Sequence, residues 1–186
     1  MEKEGIRRLA VTLTIIGMVS ALFLAFVYQW TLPYIKEHQA AAREQALKNV
    51  LPGAVNFEEI EKNDKVFFAG YDENDVKVGV AIITRGPGFQ GMIDIMVGTD
   101  PGQGKILDIY ILDHEETPGL GARITEEEFR DNFNEMPFGE YQVIQTSPDT
   151  SYEVEAISGA TVSTESVVEI VEKAVNDIKN IYGGGN

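Results

Sequence analysis

The chain contains no cysteine, which removes disulfides, thiolate nucleophiles and cysteine-ligated iron–sulfur or zinc centres together. Histidine is almost as scarce. With only His38 and His114, the sequence speaks against a multi-histidine metal or haem site, so redox chemistry points to a different cofactor, while a carboxylate metal site stays open. Positive charge is also in short supply: 15 lysines and arginines stand against 30 acidic residues, a formal net charge of −15. Because Lys3, Arg7 and Arg8 precede the apolar segment, the remainder is more acidic still. Such a surface repels phosphate backbones and speaks against a nucleic-acid partner, and on the simplest reading it only solubilises the domain. Repeats and low-complexity tracts are missing apart from Gly183-Gly184-Gly185. What remains is an ordinary folding composition, 44% hydrophobic over 186 residues, which leaves room for one globular domain beside a membrane segment.

Between Leu9 and Ile35 there is no charged residue, and Leu9 to Val27 is apolar on every face. A helix needs roughly 20 such residues to cross a hydrocarbon core of about 30 Å. Tyr28, Trp30 and Tyr34 gather at the far end, where amphipathic rings favour the headgroup zone, and Pro33 is placed to break or kink the helix there. Val19-Ser20-Ala21 weakly resembles the cleavage site of a signal peptide, but apolar character continues past Ala21, which favours a retained anchor. Basic residues before the span and acidic ones after it predict a cytoplasmic N-terminus and a main domain outside the cytoplasmic (inner) membrane. The expected organisation is a cytoplasmic tail at 1–8, a transmembrane helix at 9–35, a stalk helix and linker at 36–53, and an extracytoplasmic domain at 54–186.

In the outer part, His38 to Val50 is rich in helix formers and is stopped by Leu51-Pro52-Gly53. Strand character follows at Lys65 to Ala69, Asp75 to Thr84, Met92 to Val97 and Lys105 to Leu112. Val76, Val78, Val80 and Ile82 alternate at period two, as do Ile93, Ile95 and Val97. Gly86-Pro87-Gly88 and Asp100-Pro101-Gly102 carry turn chemistry, so the strands predict an antiparallel meander. Thr125-Glu126-Glu127-Glu128 reads as a capping box before Phe129 and Phe133. The last helix is the plainest: Val167, Val168, Ile170, Val171, Ala174, Val175, Ile178 and Ile181 form one apolar stripe, with Ser163 or Thr164 as its expected N-cap. A stripe of that kind must pack on the sheet, which predicts an α+β domain.

Two segments are over-specified for a plain scaffold. His114 to Ala122 (HEETPGLGA) follows a strand, and its glycines permit unusual backbone angles and close approach of a ligand; by itself it is equally a structural turn. Glu155 to Thr164 (EAISGATVST) runs from a short strand into the last helix. Its small residues leave space, its hydroxyls supply donors, and the free amides of a helix start favour a phosphate there; alone it is equally an N-capping turn.

Taken in order behind one N-terminal anchor, Glu116-Thr117-Pro118-Gly119-Leu120-Gly121 and Ser158-Gly159-Ala160-Thr161 resemble the FMN-binding domain of the flavin-carrying G-type subunits of Rnf-type ferredoxin:NAD⁺ oxidoreductases. The C-type subunits of Na⁺-translocating NADH:quinone oxidoreductases are close relatives. The resemblance covers nearly the whole chain, including the Gly86 to Gly91 turn. It implies FMN joined through its phosphate to the threonine ending a D-x-x-[S/T]-G-A-T motif, attached by a separate flavin transferase that uses FAD. Thr161 is then the attachment site, with Ser158, Gly159 and Ala160 before it and Val162 and Ser163 after it. Glu116, Thr117, Gly119, Leu120 and Gly121 form a loop beside the flavin. Glu155 departs from the motif, standing one methylene further out where the motif has Asp.

The resemblance further implies a relay: FMN suits transfer between one-electron partners, and those partners are the other membrane, iron–sulfur and flavin subunits of the complex. A C-type quinone-reductase subunit and a non-catalytic, membrane-anchored flavin sensor or assembly module are the alternatives. A hydrolase built on Ser158 and His114 lacks the glycine spacing of a nucleophile elbow.

Overall fold

A computed structural model describes residues 2–182, which divide into two compact units, Met1–Ala42 and Arg43–Asn186. In the first unit every element is one helix, α1 (Glu2–Val50), whose end extends into the second. The sequence places a break at Pro33, yet the helix runs through it. Leu22 and Leu24 are 71% and 73% exposed, and the span around them is apolar on all sides, a surface suited to hydrocarbon rather than water. Among the described residues this is the one helix long and apolar enough to cross a membrane.

The second unit is an α+β domain built on a five-stranded antiparallel meander: β1 (Asn56–Lys62), β2 (Lys65–Tyr71), β3 (Lys77–Pro87), β4 (Met92–Asp100) and β5 (Lys105–His114), paired in chain order. After β5 come a 3-10 turn (Gly121–Thr125), the short helix α2 (Glu127–Arg130), a second 3-10 turn (Asp131–Phe133), the strands β6 (Gln142–Ile144) and β7 (Glu153–Glu155), paired in parallel, and the long helix α3 (Thr161–Tyr182).

Both faces of the sheet are covered. The stripe of α3 packs with Phe67, Val80, Ile82, Ile95, Val97 and Ile109 on one face. On the other, Ala46, Leu47, Val50 and Leu51 pack with Phe68, Ala81, Met96 and Leu107. The last turns of α1 are therefore part of the domain's core and not the separate stalk that the sequence suggests. Alternation assigns neighbours such as Phe67 and Phe68 to opposite faces. Along β5 the parity changes: Ile106 and Ile109 share a face because Leu107 is an extra residue between the pairs Gly98–Asp108 and Thr99–Ile106. Without that bulge one set of isoleucines would point to the wrong side.

One strand is added to those expected from the sequence, and two local expectations change. Strand β1, whose sequence NFEEIEK is too charged to read as a strand, is an edge strand closed onto β2 by Asn63-Asp64, both with positive φ (52° and 58°), the geometry of a tight hairpin turn. The second predicted strand begins at Lys77 instead of Asp75, because Asp75 adopts φ 59° in a turn stapled by the Asp72 carboxylate. The capping box does not form: Glu126 is the N-cap of a four-residue helix without a side-chain cap bond, and the Thr125 hydroxyl donates to the Ala122 carbonyl.

The closest approach in this core is at Gly98, where a Cβ would lie 1.9 Å from the Val50 carbonyl oxygen. Backbone cannot swing aside as a side chain can. Gly98→Ala should therefore destabilise the domain by about 3 kcal/mol or more, beyond ordinary overpacking, as measured by denaturant unfolding of the full chain in detergent. An unchanged midpoint would show that the α1 end does not rest on β4.

Candidate functional site

The start of α3 is where the singled-out residues converge. Residues Ser158-Gly159 form a turn in which Gly159 takes φ +81°, a conformation that side chains disfavour. Ala160 buries its methyl group in the core, and Thr161 opens the helix at a partly exposed position. The expected N-caps are displaced: Ser163 and Thr164 lie inside the first turn, both buried. The Thr164 hydroxyl accepts the Ile157 N–H at 3.1 Å and donates to the Ala160 carbonyl at 3.2 Å, so it ties the helix to the chain entering it. The Thr164 N–H bonds the Ala160 carbonyl at 3.0 Å, which leaves the amides of Thr161, Val162 and Ser163 without carbonyls a turn earlier in the helix.

Across from Ser163 stands Glu116, only 4% exposed. Its carboxylate accepts the Ser163 hydroxyl at 2.5 Å and the Gln90 N–H at 3.0 Å. Burial pushes the carboxyl up, but the Ser163 hydroxyl, the Gln90 and Phe89 amides and nearby His114 outweigh it and hold the group below its ordinary value of 4.5. The backbone is shaped around this carboxylate. A Cβ on Gly121 would lie 2.4 Å from Glu116 Oε2 and 2.6 Å from Ser163 Oγ, and one on Gly88 would lie 2.5 Å from Glu116 Oε1. The His114 ring nitrogen Nδ1 accepts the Glu116 N–H at 3.2 Å. Within the loop, the Thr117 carbonyl accepts from both Leu120 and Ala122, and Gly119 takes φ +77° to allow it. Leu120 and Val162 remain 47% and 49% exposed, and Leu120 Cδ2 comes within 3.4 Å of where a Gly159 Cβ would be.

On the other side, Ser158, Gly159 and Thr161 line a cleft of about 500 Å³ closed by Arg123, Phe129 and Asn132. Arg123 is the one basic side chain lining it, among the described residues, facing Glu126, Glu128 and Glu155. Its Nε–Glu126 Oε2 contact is 3.1 Å between side chains 38% and 49% exposed, a weak pair that an anion can displace. Asn132 Oδ1 accepts the Glu155 N–H at 3.2 Å, which fixes the end of β7 at the cleft wall. Sequence reasoning missed Arg123 and Asn132; both lie within 20 residues of the glycine loop, but nothing in their spacing marks them. A hydroxyl at a helix start, free amides, one arginine and room for a nucleotide form a donor set that suits a phosphate ester. Among the described residues no cluster of His, Asp or Glu suited to a metal is present.

Comparison with known proteins gives the family of the chain. Residues 88–176 match the FMN-binding domain family and residues 1–50 the RnfG N-terminal region. The fold resembles the C-type component of the Na(+)-translocating NADH-quinone reductase from Parabacteroides distasonis, with a TM-score of 0.62 at 15% identity over 81% of this chain and 96% of that one. Shewanella oneidensis NqrC gives a TM-score of 0.54 at 20% identity, covering 69% of this chain and 72% of its own. The class is thus a membrane-anchored FMN-binding domain. The G-type component of an ion-translocating oxidoreductase complex from Methanosarcina acetivorans is 32% identical over 183 residues, 94% of this chain and 95% of the relative. Its counterpart in a proton-translocating ferredoxin:NAD(+) oxidoreductase complex from Clostridium ljungdahlii is 26% identical across 98% of this chain and 97% of its own length. The chain belongs to the RnfG family, the G-type components of Rnf-type ion-translocating oxidoreductase complexes, which is related to the NqrC proteins of the quinone reductases.

Glu116 has a depressed pKa in the fold, so its contribution to stability is complete above the unfolded value and is lost as pH falls through the lowered folded one. The difference in unfolding free energy between the wild-type chain and Glu116→Gln should therefore be constant near neutrality and shrink below pH 4.5. Denaturant titrations at a series of pH values measure it; a gap that does not change with pH would mean that folding leaves the carboxyl's pKa where it is in the unfolded chain, and one that grows as pH falls would mean the carboxyl is held neutral in the fold.

Proposed function

We propose that this chain is the electron-carrying subunit of a membrane-bound, ion-translocating ferredoxin:NAD⁺ oxidoreductase complex, and that it holds FMN as a phosphoester on Thr161. The observation that carries this reading is the position of Thr161: it opens α3, beside amides with no helical carbonyl partner, on a cleft whose one basic residue among those described is Arg123. In the loading step the Thr161 oxygen bonds to the FMN phosphorus of FAD, the pyrophosphate P–O bond breaks, AMP leaves with that oxygen, and the hydroxyl proton passes to solvent or the transferase. A separate flavin transferase supplies the active site for this exchange. FMN, when bound, supplies a ring that takes up and releases electrons.

The protein's own residues do the rest. The amides of Thr161, Val162 and Ser163 and the Arg123 guanidinium would hold the phosphate group, offsetting a net charge of −15 that would otherwise repel it. The loop residues Thr117, Gly119, Leu120 and Gly121 would flank the bound flavin, and the exposed side chains of Leu120 and Val162 would offer it apolar surface. Glu155 keeps a carboxylate at the cleft wall where the family motif has Asp, and serves transferase recognition there. The helix at 9–35 anchors the chain with its N-terminus in the cytoplasm and the domain outside. Its span has no Asp, Glu, Lys, Arg or His between Leu9 and Ile35, so ion passage belongs to the partner subunits. Full-length similarity to RnfG proteins supports this assignment over a C-type quinone-reductase component. An assembly module that never changes redox state is the competing reading, and a flavin that is neither reduced nor reoxidised during turnover of the assembled complex would favour it.

The intact mass of chain purified from a host that has the transferase should exceed the sequence mass by FMN less one water. Thr161→Val should lose that increment and the in-gel flavin fluorescence after denaturation while keeping its unfolding free energy within about 1 kcal/mol, as expected for a partly exposed position. Covalent flavin persisting in the variant would overturn the assignment.

A further inference from the structure

The redox role described above makes no use of Glu116, although burying a carboxylate is costly unless it is fully hydrogen-bonded. We propose that Glu116 is a positioning residue for flavin loading: with Ser163 it forms a buried carboxylate–hydroxyl strut that sets the rotation of the first turn of α3 and so presents the Thr161 hydroxyl to the cleft. This rests on Thr161 being the acceptor.

Glu116 is badly suited to touch the phosphate itself. It is 4% exposed, both of its oxygens are engaged by Ser163 and Gln90, and a carboxylate repels a phosphate. It is well suited to hold a helix. Positions 161 and 163 are separated by about 200° around the axis, so a hydroxyl at 163 fixed inward turns 161 outward. The turn is held from a second direction by Thr164, whose hydroxyl bridges the Ile157 amide and the Ala160 carbonyl. Two buried hydroxyls thus lock five residues, 160–164, that have only one helical hydrogen bond among them. The strut's far end is equally fixed, since the carboxylate is gripped by the 89–90 turn and enclosed by Gly88 and Gly121, neither of which has room for a Cβ. It joins three segments distant in sequence: the β3–β4 turn, the loop after β5 and the start of α3.

The test uses the full chain, unloaded and in detergent, given a flavin transferase and FAD, with covalent loading followed by intact mass at several chain concentrations. Glu116→Gln cannot accept on both sides, since its NH₂ would face either the Ser163 hydroxyl or the Gln90 amide. It should slow loading about tenfold, the size expected when an acceptor is misplaced by less than 1 Å. Ser163→Ala should slow it similarly, and the double variant should be no slower than either single one, because both remove one strut. Amide exchange at 161–163 should rise in each variant while the middle of α3 keeps its protection, a change that a general loss of stability would not confine there. If Glu116→Gln does not fold, Ser163→Ala, which deletes a single hydroxyl, decides. Variants that are folded and load at the wild-type rate overturn the strut alone. A wild-type chain that gains no mass overturns the Thr161 reading, and the strut's role with it.

Discussion

The structure depends above all on one constraint, that the apolar stripe of α3 has to lie across β3 and β4. Val167, Val171, Ala174, Val175 and Ile178 are all essentially buried, and fully burying each of the larger side chains contributes on the order of 2 kcal/mol. The fit is close, since a Cβ on Gly86 would lie 2.4 Å from Ile170 Cγ1, so the helix can neither slide nor roll without clash or cavity. Once its axis is fixed, so is its N-terminus. The positive end of a 22-residue helix is delivered to the edge of the sheet where β3 turns into β4 and β5 runs into the glycine loop.

The polar interactions around that helix start are then consequences of where it has to be. Ser163 and Thr164 face inward on the side packed against the domain, and buried hydroxyls need partners. Thr164 finds its own in the chain just before the helix, and Ser163 finds Glu116. The carboxylate in turn needs more donors than one hydroxyl, and the 89–90 amides supply them. Each group's requirement is met by the next, which is how three loops without regular structure acquire one geometry.

Much of this was legible in the sequence, for reasons that are local. The α3 stripe, the period-two runs of β3 and β4 and the Asp100-Pro101-Gly102 turn, whose Asp100 carboxylate does accept the Gly102 and Gln103 amides, are all patterns of short range along the chain. What was not legible is set by tertiary packing. Pro33 is accommodated because a proline forfeits one hydrogen bond in a helix of 49 residues. The charged β1 is a strand because an edge strand needs one ladder and a turn, not an apolar face. The capping box failed because Thr125 had a nearer acceptor in Ala122. At the site, the two motifs were visible as glycines and hydroxyls, but the pairing of Glu116 with Ser163 spans 47 positions and Arg123 faces its cleft only through the 3-10 turn.

The division of charge around Thr161 follows from the same geometry. Glu116 is ionised on the inner side of the first turn and Arg123 lies on the outer side, in the cleft. An anion approaching Thr161 from the inner side would meet a buried negative charge in a medium of low dielectric, where repulsion is weakly screened. Approaching from the cleft it meets an arginine and the residue that opens the helix instead. Glu126, Glu128 and Glu155 also line that cleft, but exposed carboxylates are screened by water and salt, whereas free helix amides aimed at one point are not. A domain carrying far more acidic than basic residues can therefore still present one face on which a phosphate is stable, provided the helix start and a single arginine are held to that face.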